Sequence, residues 1–448
     1  MKRISCMAVT LCTFLAGNAQ DRLSLEQSKL LALQNNPKVK NSELELAAAR
    51  EIKKDAYASY FPKIGASAVG MQAVDPLLQM NMKGGNLPVY DGNPANLPGA
   101  TQFAYMPDIS IGLFDQVALG YLNVLQPVYA GGKIRTGNQL AELNIAVRER
   151  QRKLSENEVL LKTEQEYWQV IAVQEKQQTL NTYIRFLDTL YAQVNNAFKN
   201  GLIIKNDLLK VRIKQQELQV NRIKLENARK LVTMQLCETI GLPYQPAIVL
   251  DERLDNFSSP AVHFMSSQAA LPDRMEYKLL EKAVAASQLE TKMKKGDYLP
   301  SLGVGVTGYY LNQFNTGQKG IFNGMVYASL SIPVSDWWTG KHKINELQYR
   351  EKIALNTFEG TKGLLNLQME KAWTDLSEAD DKIHLIRETL VQAAENLKVN
   401  QDSYNNGLIQ LADLLEARAL KAGIEDQLIE AKAQYKIAVT NYLQVTGR

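Results

Sequence analysis

The sequence reads AFKNGLI at residues 197–203 and SYNNGLI at residues 403–409, so one motif occurs twice, 206 positions apart. The tripeptide DLL follows each copy at the same offset, at residues 207–209 and 413–415. Asn and Gly tolerate the left-handed conformation that ends a helix, so each Asn-Gly pair predicts the turn of a helical hairpin. A repeat of this length indicates a duplicated half rather than a solenoid of short units.

The segments that lead into the two turns contain few helix breakers. Residues 133–199 have no proline and one glycine, and residues 341–405 have no proline and two glycines. Apolar residues recur every three or four positions, the pattern of packed helices, as in Leu180, Ile184, Leu187, Tyr191, Val194 and Phe198. A helix of about 65 residues would be about 100 Å long. Ordinary soluble bundles show the same stripes, but this length favours a tube that spans a compartment.

Four short segments between the helices alternate in the manner of strands. In one of them Val326, Ala328 and Leu330 alternate with Tyr327 and Ser329. One apolar face and one small or polar face are expected of a barrel wall between lipid and water, and also of a sheet packed on a soluble domain. Each segment has a proline at its helix-side end, where proline suits the junction between helix and strand: Pro62, Pro127, Pro300 and Pro333.

Four strands are too few to close a barrel, because single-chain barrels begin at about eight strands. Several chains would therefore share one barrel, and two, three or four copies all satisfy that requirement. The first copy is longer than the second around residues 71–107, which are rich in Gly, Pro and Asn. This composition predicts a long loop.

The first residues predict a secretion signal over residues 1–19: two basic residues, an apolar run at 4–15, and small residues at 17–19. The formal net charge of +4 falls by two without Lys2 and Arg3. That balance, with no basic block interleaved with aromatic residues, predicts no nucleic-acid partner. No later apolar run approaches the roughly 20 residues that a membrane helix requires.

The sequence offers no catalytic or metal-binding pattern. His263, His342 and His384 are far apart and fall in different predicted elements, without the spacing of metal ligands. The GGK run at 131–133 lacks the spaced glycine and the Ser or Thr of a phosphate-binding loop, and predicts a strand-to-helix turn. We therefore expect no enzymatic activity, no cofactor and no metal.

Taken together, the duplicated plan, the four junction prolines, and the paired hairpins with a glycine followed six residues later by Asp resemble the TolC-like outer membrane efflux proteins. The resemblance covers essentially the whole chain after the signal. It implies a mainly α fold with a small β part, in which a long coiled-coil-like helical barrel continues into a 12-stranded transmembrane β-barrel shared by a homotrimer.

The resemblance also implies location, partners and domain limits. The protein would lie in the outer membrane, in contact with its lipid, and extend into the periplasm. It would serve as a passive channel for an inner-membrane RND or ABC transporter, through a periplasmic adaptor (membrane fusion) protein, in efflux or type I secretion. The first repeat would cover residues 20–242 and the second residues 273–448, with an equatorial linker at 243–272.

The resemblance assigns roles at the hairpins. Asp413 and Glu416 match the acidic residues that ring the periplasmic entrance constriction, and Tyr404 and Asp207 match a hydrogen-bonded pair that helps to hold the closed tip. Ile409 stands where the TolC pattern has an arginine that links neighbouring helices, so closure is expected to be looser or to rely on apolar contact. The adaptor would contact the tips: Gly201, Leu202, Ile203, Gly407, Leu408 and Ile409.

Simpler readings exist for the same residues. A carboxylate near a helix start, as at Asp207 and Asp413, accepts free backbone N–H groups and stabilises the helix. A small apolar tip is also an ordinary turn between helices. The alternative function is a periplasmic coiled-coil scaffold or adaptor without a pore, although the amphipathic strands and two equivalent hairpins favour the channel.

Overall fold

A computed structural model describes residues 22–246, 248–255, 257–314 and 319–448. The predicted secretion signal at residues 1–19 lies outside the described residues. The chain divides into two compact units. The first contains the residues up to Arg50 with Leu143–Ala285 and Lys352–Arg448, and the second contains Glu51–Glu142 and Ala286–Glu351.

The chain is mainly helical, and its helices in chain order are α1 Leu25–Asn35, α2 Pro37–Ala58, α3 Lys133–Lys199, α4 Lys205–Ile240, α5 Ser267–Ala270, α6 Met275–Gly296, α7 Asp336–Asn405 and α8 Leu411–Val445. Helices α3 and α7 contain 67 and 70 residues. The two long helices, each followed by a shorter partner, confirm the predicted duplicated helical hairpins.

The strands in chain order are β1 Arg22–Leu23, β2 Lys63–Gln72, β3 Leu78–Met82, β4 Gly85–Pro88, β5 Phe103–Met106, β6 Ile109–Leu113, β7 Gln116–Ala130, β8 Val249–Leu250, β9 Ser301–Gln313 and β10 Ile321–Ser331. The short strands β1 and β8 pair in parallel. The four predicted segments correspond to β2, to β6 with β7, to β9 and to β10.

The first unit is held together by apolar clusters between its helices. One cluster joins Leu187 and Val194 of α3 to Val211 of α4 and Leu411 and Leu414 of α8, so it packs one hairpin against the other; we call it the hairpin core. Apolar burial of this kind is the main stabilising contribution to a folded unit.

Buried tyrosines fasten the irregular segments of the first unit to its helices. The Tyr167 hydroxyl donates to the backbone oxygen of Leu23 at 3.0 Å, and the Tyr442 hydroxyl donates to that of Met265 at 3.0 Å. A buried hydroxyl without a partner would destabilise the unit, so these bonds fix where the segments lie.

The second unit contains a four-stranded antiparallel sheet in the order β10-β9-β7-β2. Its register places Val124, Val306 and Val326 side by side on one face. On the other face the Asn123 side-chain oxygen accepts hydrogen bonds from Thr307 Oγ1 at 2.7 Å and from the Tyr327 hydroxyl at 2.9 Å. The predicted division into an apolar and a polar face is confirmed.

The four prolines occupy two kinds of position. Pro62 and Pro300 directly precede β2 and β9, and Pro333 lies between β10 and α7. Pro127 instead lies inside β7, where the pairing with β9 shifts register between Pro127 and Tyr129. Proline has no backbone N–H to donate to the neighbouring strand. The bulge at this point interrupts the pairing locally, so β7 can continue past Pro127.

The GGK run forms the predicted strand-to-helix turn between β7 and α3. Gly131 has φ +62°, and a Cβ there would lie 2.2 Å from the backbone oxygen of Gly296. The turn therefore requires glycine both for its conformation and for the close approach of two backbones.

Residues 71–107 are not the structureless loop that their composition predicted. β3 pairs with β6 and β4 pairs with β5, so the segment continues outward as two-stranded ribbons. In the first ribbon the Ser110 hydroxyl donates to Asn81 Oδ1 at 2.7 Å. The opposite, solvent-exposed face carries apolar side chains in facing pairs: Leu78, Met80, Met82, Ile109, Ile111 and Leu113. Cross-strand apolar pairs of this kind stabilise a ribbon despite the surrounding Gly and Pro.

Candidate functional site

The two hairpin turns have the same backbone geometry. Gly201 and Gly407 both have φ +72°. After α3, Leu202 N donates to Ala197 O at 2.9 Å, and after α7, Leu408 N donates to Ser403 O at 2.9 Å. These bonds and the left-handed glycine form the Schellman arrangement, which satisfies the last free carbonyls of each helix. The prediction that the Asn-Gly pairs stop α3 and α7 is confirmed.

Some apolar residues of the turns are exposed to water, and others are half-buried. Leu202 and Leu408 are each 76% exposed. Ile203 is half-buried and packs against the hairpin core, and Ile409 is also half-buried. Each hairpin thus ends in a projecting leucine followed by a half-buried isoleucine, and the first hairpin also exposes Ile204.

Asp207 lies in the first turn of α4, but its side chain does not bond to the helix end. The N-cap position is Ile204, and no side-chain capping bond is made there. Asp207 Oδ1 instead lies 3.4 Å from Lys210 Nζ, one turn further along α4. Among the described residues, Asp207 therefore makes no capping hydrogen bond and pairs with Lys210 instead. Its place in the first turn of α4 still gives the predicted favourable interaction with the helix dipole.

Asp413 occupies the equivalent position in α8 and does cap it. Its Oδ2 accepts a hydrogen bond from the backbone N of Gln410 at 3.1 Å, which satisfies a free donor at the helix start. Glu416 stands where the first hairpin has Lys210, and both acids are exposed. Within the described ranges neither makes an ion pair. Residues three apart lie on one helix face, so α8 begins with two uncompensated carboxylates on the same side.

Tyr404 of the second hairpin lies near Asp207 of the first. It lies near the end of α7, is half-buried and packs against the hairpin core. Burial raises the pKa of the Tyr404 hydroxyl, and the nearby charge of Asp207 raises it further. Tyr404 and Asp207 thus lie near each other, but the described residues show no hydrogen bond between them. Asp413 and Glu416 lie together on the exposed start of α8.

Among the described residues, no group of three or more His, Cys, Asp or Glu side chains is arranged to hold a metal ion. His263 Nε2 lies 3.0 Å from the Ser258 hydroxyl, and His384 Nε2 lies 3.9 Å from Asp380 Oδ2. In the same part of the chain, no helix has both the length and the apolar character to cross a membrane.

The family model described as outer membrane efflux protein matches residues 30–242 and 267–448, which is most of the chain. The chain belongs to the outer membrane efflux protein family. This membership confirms the predicted efflux channel and its outer-membrane location, and it removes the alternative of a periplasmic scaffold without a pore.

Solved structures share the fold of this efflux protein at low sequence identity. The Campylobacter jejuni CmeC outer membrane channel has a TM-score of 0.73 and 16% identity, over 94% of this chain and 85% of that chain. The Vibrio cholerae outer membrane protein VceC has a TM-score of 0.73 and 14% identity, over 94% and 96%. The open state of the Neisseria gonorrhoeae MtrE outer membrane channel has a TM-score of 0.72 and 12% identity, over 94% and 88%. Comparison of the sequence with curated proteins finds no match.

Sequence reasoning missed two arginines of this efflux protein. Arg212 and Arg418 are 206 positions apart, so they are equivalent in the two repeats. Arg212 is exposed, whereas Arg418 is buried in the first unit. The repeat offset identifies the pair, but the sequence contains no signal for their different burial.

Proposed function

We propose that this efflux protein is a passive duct built by three copies of the chain. The supporting observation is its four-stranded sheet, which has one apolar, exposed face. Within the described residues the edge strands β2 and β10 each pair with a neighbouring strand on one side only. Unpaired sheet edges require a partner, and closing the sheet into a barrel removes them. Three such sheets give the predicted 12 strands, with the apolar face toward outer-membrane lipid.

The second hairpin supplies the selectivity of the entrance in this proposal. Asp413 and Glu416 are exposed and carry two negative charges on one side of α8, whereas Lys210 neutralises Asp207 in the first hairpin. Threefold repetition would place six carboxylates around a narrow pore, and their field would favour cations over anions. Tyr404 lies close enough to Asp207 for that charge to raise its pKa, and it would help to hold the two hairpins together at the tip.

The projecting tips would dock a periplasmic adaptor protein, which connects the duct to an inner-membrane RND or ABC transporter. Leu202 and Leu408 are fully projecting apolar side chains at equivalent turns, and an exposed leucine is suited to burial against a partner helix. The repeats at residues 20–242 and 273–448 would each contribute one tip. Residues 243–272, fastened through Tyr442, would form the equatorial segment between them.

The test is single-channel recording of the purified protein in a planar bilayer, with cation-to-anion selectivity read from the reversal potential. We expect small, discrete, cation-selective steps, and reduced selectivity in the double variant Asp413→Asn/Glu416→Gln. The matched control is Glu378→Gln/Asp381→Asn, which removes the same charge at the same spacing from an exposed face in the middle of α7.

Each outcome decides a separate part of the proposal. Anion-selective steps, or equal effects of the two double variants, would remove Asp413 and Glu416 from the controlling constriction while leaving the duct. A folded protein that neither inserts nor conducts would overturn the duct itself.

A further inference from the structure

Arg418 lies in an aromatic slot formed by the other hairpin. Its side chain is 3% exposed although it belongs to α8. The guanidinium Cζ lies 4.6 Å from the ring centroid of Tyr183 and 5.7 Å from that of Phe186. Both rings belong to α3, so a charged side chain of the second hairpin is enclosed by rings of the first. A cation over an aromatic face is attracted by the ring quadrupole, most strongly where water is excluded.

Few polar groups compete with the rings for this cation. Glu425 Oε2 lies 3.8 Å from Arg418 Nη1, and its other oxygen lies 3.4 Å from Lys421 Nζ. Among the described residues, Arg418 Nη1 and the Tyr183 hydroxyl have no hydrogen-bond partner and are buried. Burial raises the pKa of Tyr183 to about 12, so its ring faces Arg418 as a neutral phenol.

The equivalent arginine of the first repeat behaves differently. Arg212 Nη2 and Nε donate to the Tyr191 hydroxyl at 2.7 and 3.1 Å, and its Cζ lies 5.4 Å from that ring. Tyr191 lies on α3 and Arg212 on α4, so this contact stays within one hairpin, and Arg212 is exposed. The equivalent arginines of the two repeats therefore make different contacts. The Arg212 contact stays within the first hairpin, whereas the Arg418 contact connects the two hairpins.

We propose that Arg418 fastens the second hairpin to the first and thereby sets how readily the entrance opens. The inference rests on the proposed function, in which α8 carries the entrance acids. Glu416 and Arg418 are two positions apart on one helix, so a movement of Glu416 away from the pore axis moves Arg418 as well. Displacing α8 from α3 would take the guanidinium off both rings and lose the cation–π attraction that the enclosed site provides, which is unfavourable.

The experiment measures open probability and reversal potential in the planar bilayer for variants on both sides of the contact. Arg418→Met keeps a long apolar side chain but removes the charge, and Tyr183→Leu removes the ring from α3. We expect each to raise open probability on the order of tenfold, with cation selectivity unchanged because Asp413 and Glu416 are intact. The double variant should open no more often than either single variant.

Three further variants separate a positioning role from a general loss of packing. Tyr183→Phe keeps the ring and should behave as wild type, and Arg212→Met should also leave opening unchanged. Arg418→Lys keeps the charge without the planar guanidinium and should give an intermediate open probability, which covers the case that Arg418→Met does not fold.

Failure of this inference is distinguishable from failure of the proposed function. Equal open probabilities for Arg418→Met, Arg212→Met and wild type would overturn the Arg418 contact while leaving the acidic entrance. Increased opening in Tyr183→Phe would also overturn it, because the hydroxyl and not the ring would then control opening. A folded wild-type protein that neither inserts nor conducts would instead overturn the duct.

Discussion

The two hairpins have the same turn but different electrostatics. Their glycines share φ +72°, and the backbone hydrogen bonds that end α3 and α7 match residue for residue. The first hairpin neutralises Asp207 with Lys210, whereas the second has Asp413 and Glu416 at the same places. The duplicated backbone therefore fixes the turn, while the side chains beyond it give each copy its own charge and contacts.

The largest expected effect concerns the hairpin core, at a pair of equivalent leucines that differ in burial. Leu414 is 1% exposed and its equivalent Leu208 is 8% exposed. Leu414→Ala should destabilise the hairpins by about 2–5 kcal/mol, with Leu208→Ala at the lower end of that range. Hydrogen exchange of the full-length protein measures the local opening free energy. Leu420→Ala, at an exposed position of α8, is the control, and a greater loss at Leu208 would contradict the comparison.

The turn glycines should respond equally in the two repeats. A Cβ at Gly201 or Gly407 meets no atom within 4 Å, so the effect of alanine comes from the left-handed backbone alone. Each Gly→Ala variant should destabilise its turn by roughly 1–2 kcal/mol, measured as faster hydrogen exchange at the tip. Gly423→Ala in the interior of α8, also in open space, should instead stabilise the helix. Unequal losses of stability at the two turns would show that the two turns are not equivalent.

The two aspartates should differ in what their removal does. Asp413→Ala loses a capping bond and should weaken the start of α8 by about 0.3–1.5 kcal/mol. Asp207→Ala loses a partly exposed ion pair with Lys210, worth about 0–1 kcal/mol and sensitive to salt. Hydrogen exchange at low and high salt checks both values. Equal losses at high salt would show that Asp207 also caps its helix.

The smallest effect concerns a buried acid that the second repeat lacks. Glu166 is buried at the position equivalent to Ala372. Burial raises its pKa above the usual 4.5, although Thr239, Lys162 and Gln235 face the carboxyl and oppose the shift. A raised folded-state pKa gives stability that is complete below the unfolded-state pKa and is lost as pH rises through the folded-state pKa.

Glu166→Gln replaces the titratable carboxyl with a neutral amide, so the variant does not lose this stability as pH rises. Its melting temperature should exceed that of the wild type at pH 8, and the difference should vanish below about pH 4. Ala372→Ser is the control in the second repeat and should show no such pH dependence. A difference between Glu166→Gln and wild type that is constant from pH 4 to pH 8 would contradict the prediction.

Much of this architecture was predictable from the sequence because it depends on backbone chemistry. Asn-Gly pairs end helices, prolines mark strand junctions and long proline-free stretches form long helices, so the hairpins and the four-stranded sheet follow from local rules. The ribbons at residues 71–107 were missed because Gly and Pro obscured the alternation of Leu78, Met80 and Met82.

The charges of the site were only partly predictable. The exchange of Lys210 for Glu416 can be found by applying the repeat offset, since each residue lies one helical turn after its aspartate, Asp207 or Asp413. The burial of Arg418 could not be found in that way, because its rings come from a helix more than 200 residues earlier in the chain. Contacts between distant helices depend on packing that a single sequence does not specify.

The open edges of the sheet also have a consequence for biogenesis. Among the described residues, the edge strands β2 and β10 each have one unpaired edge, and the sheet has an apolar face, so a newly exported lone copy in water is prone to aggregate. For the proposed duct of three copies, survival then depends on how quickly copies meet one another relative to chaperone binding and proteolysis. Because that encounter is of higher order in concentration, the yield of inserted protein should rise more steeply than the rate of synthesis.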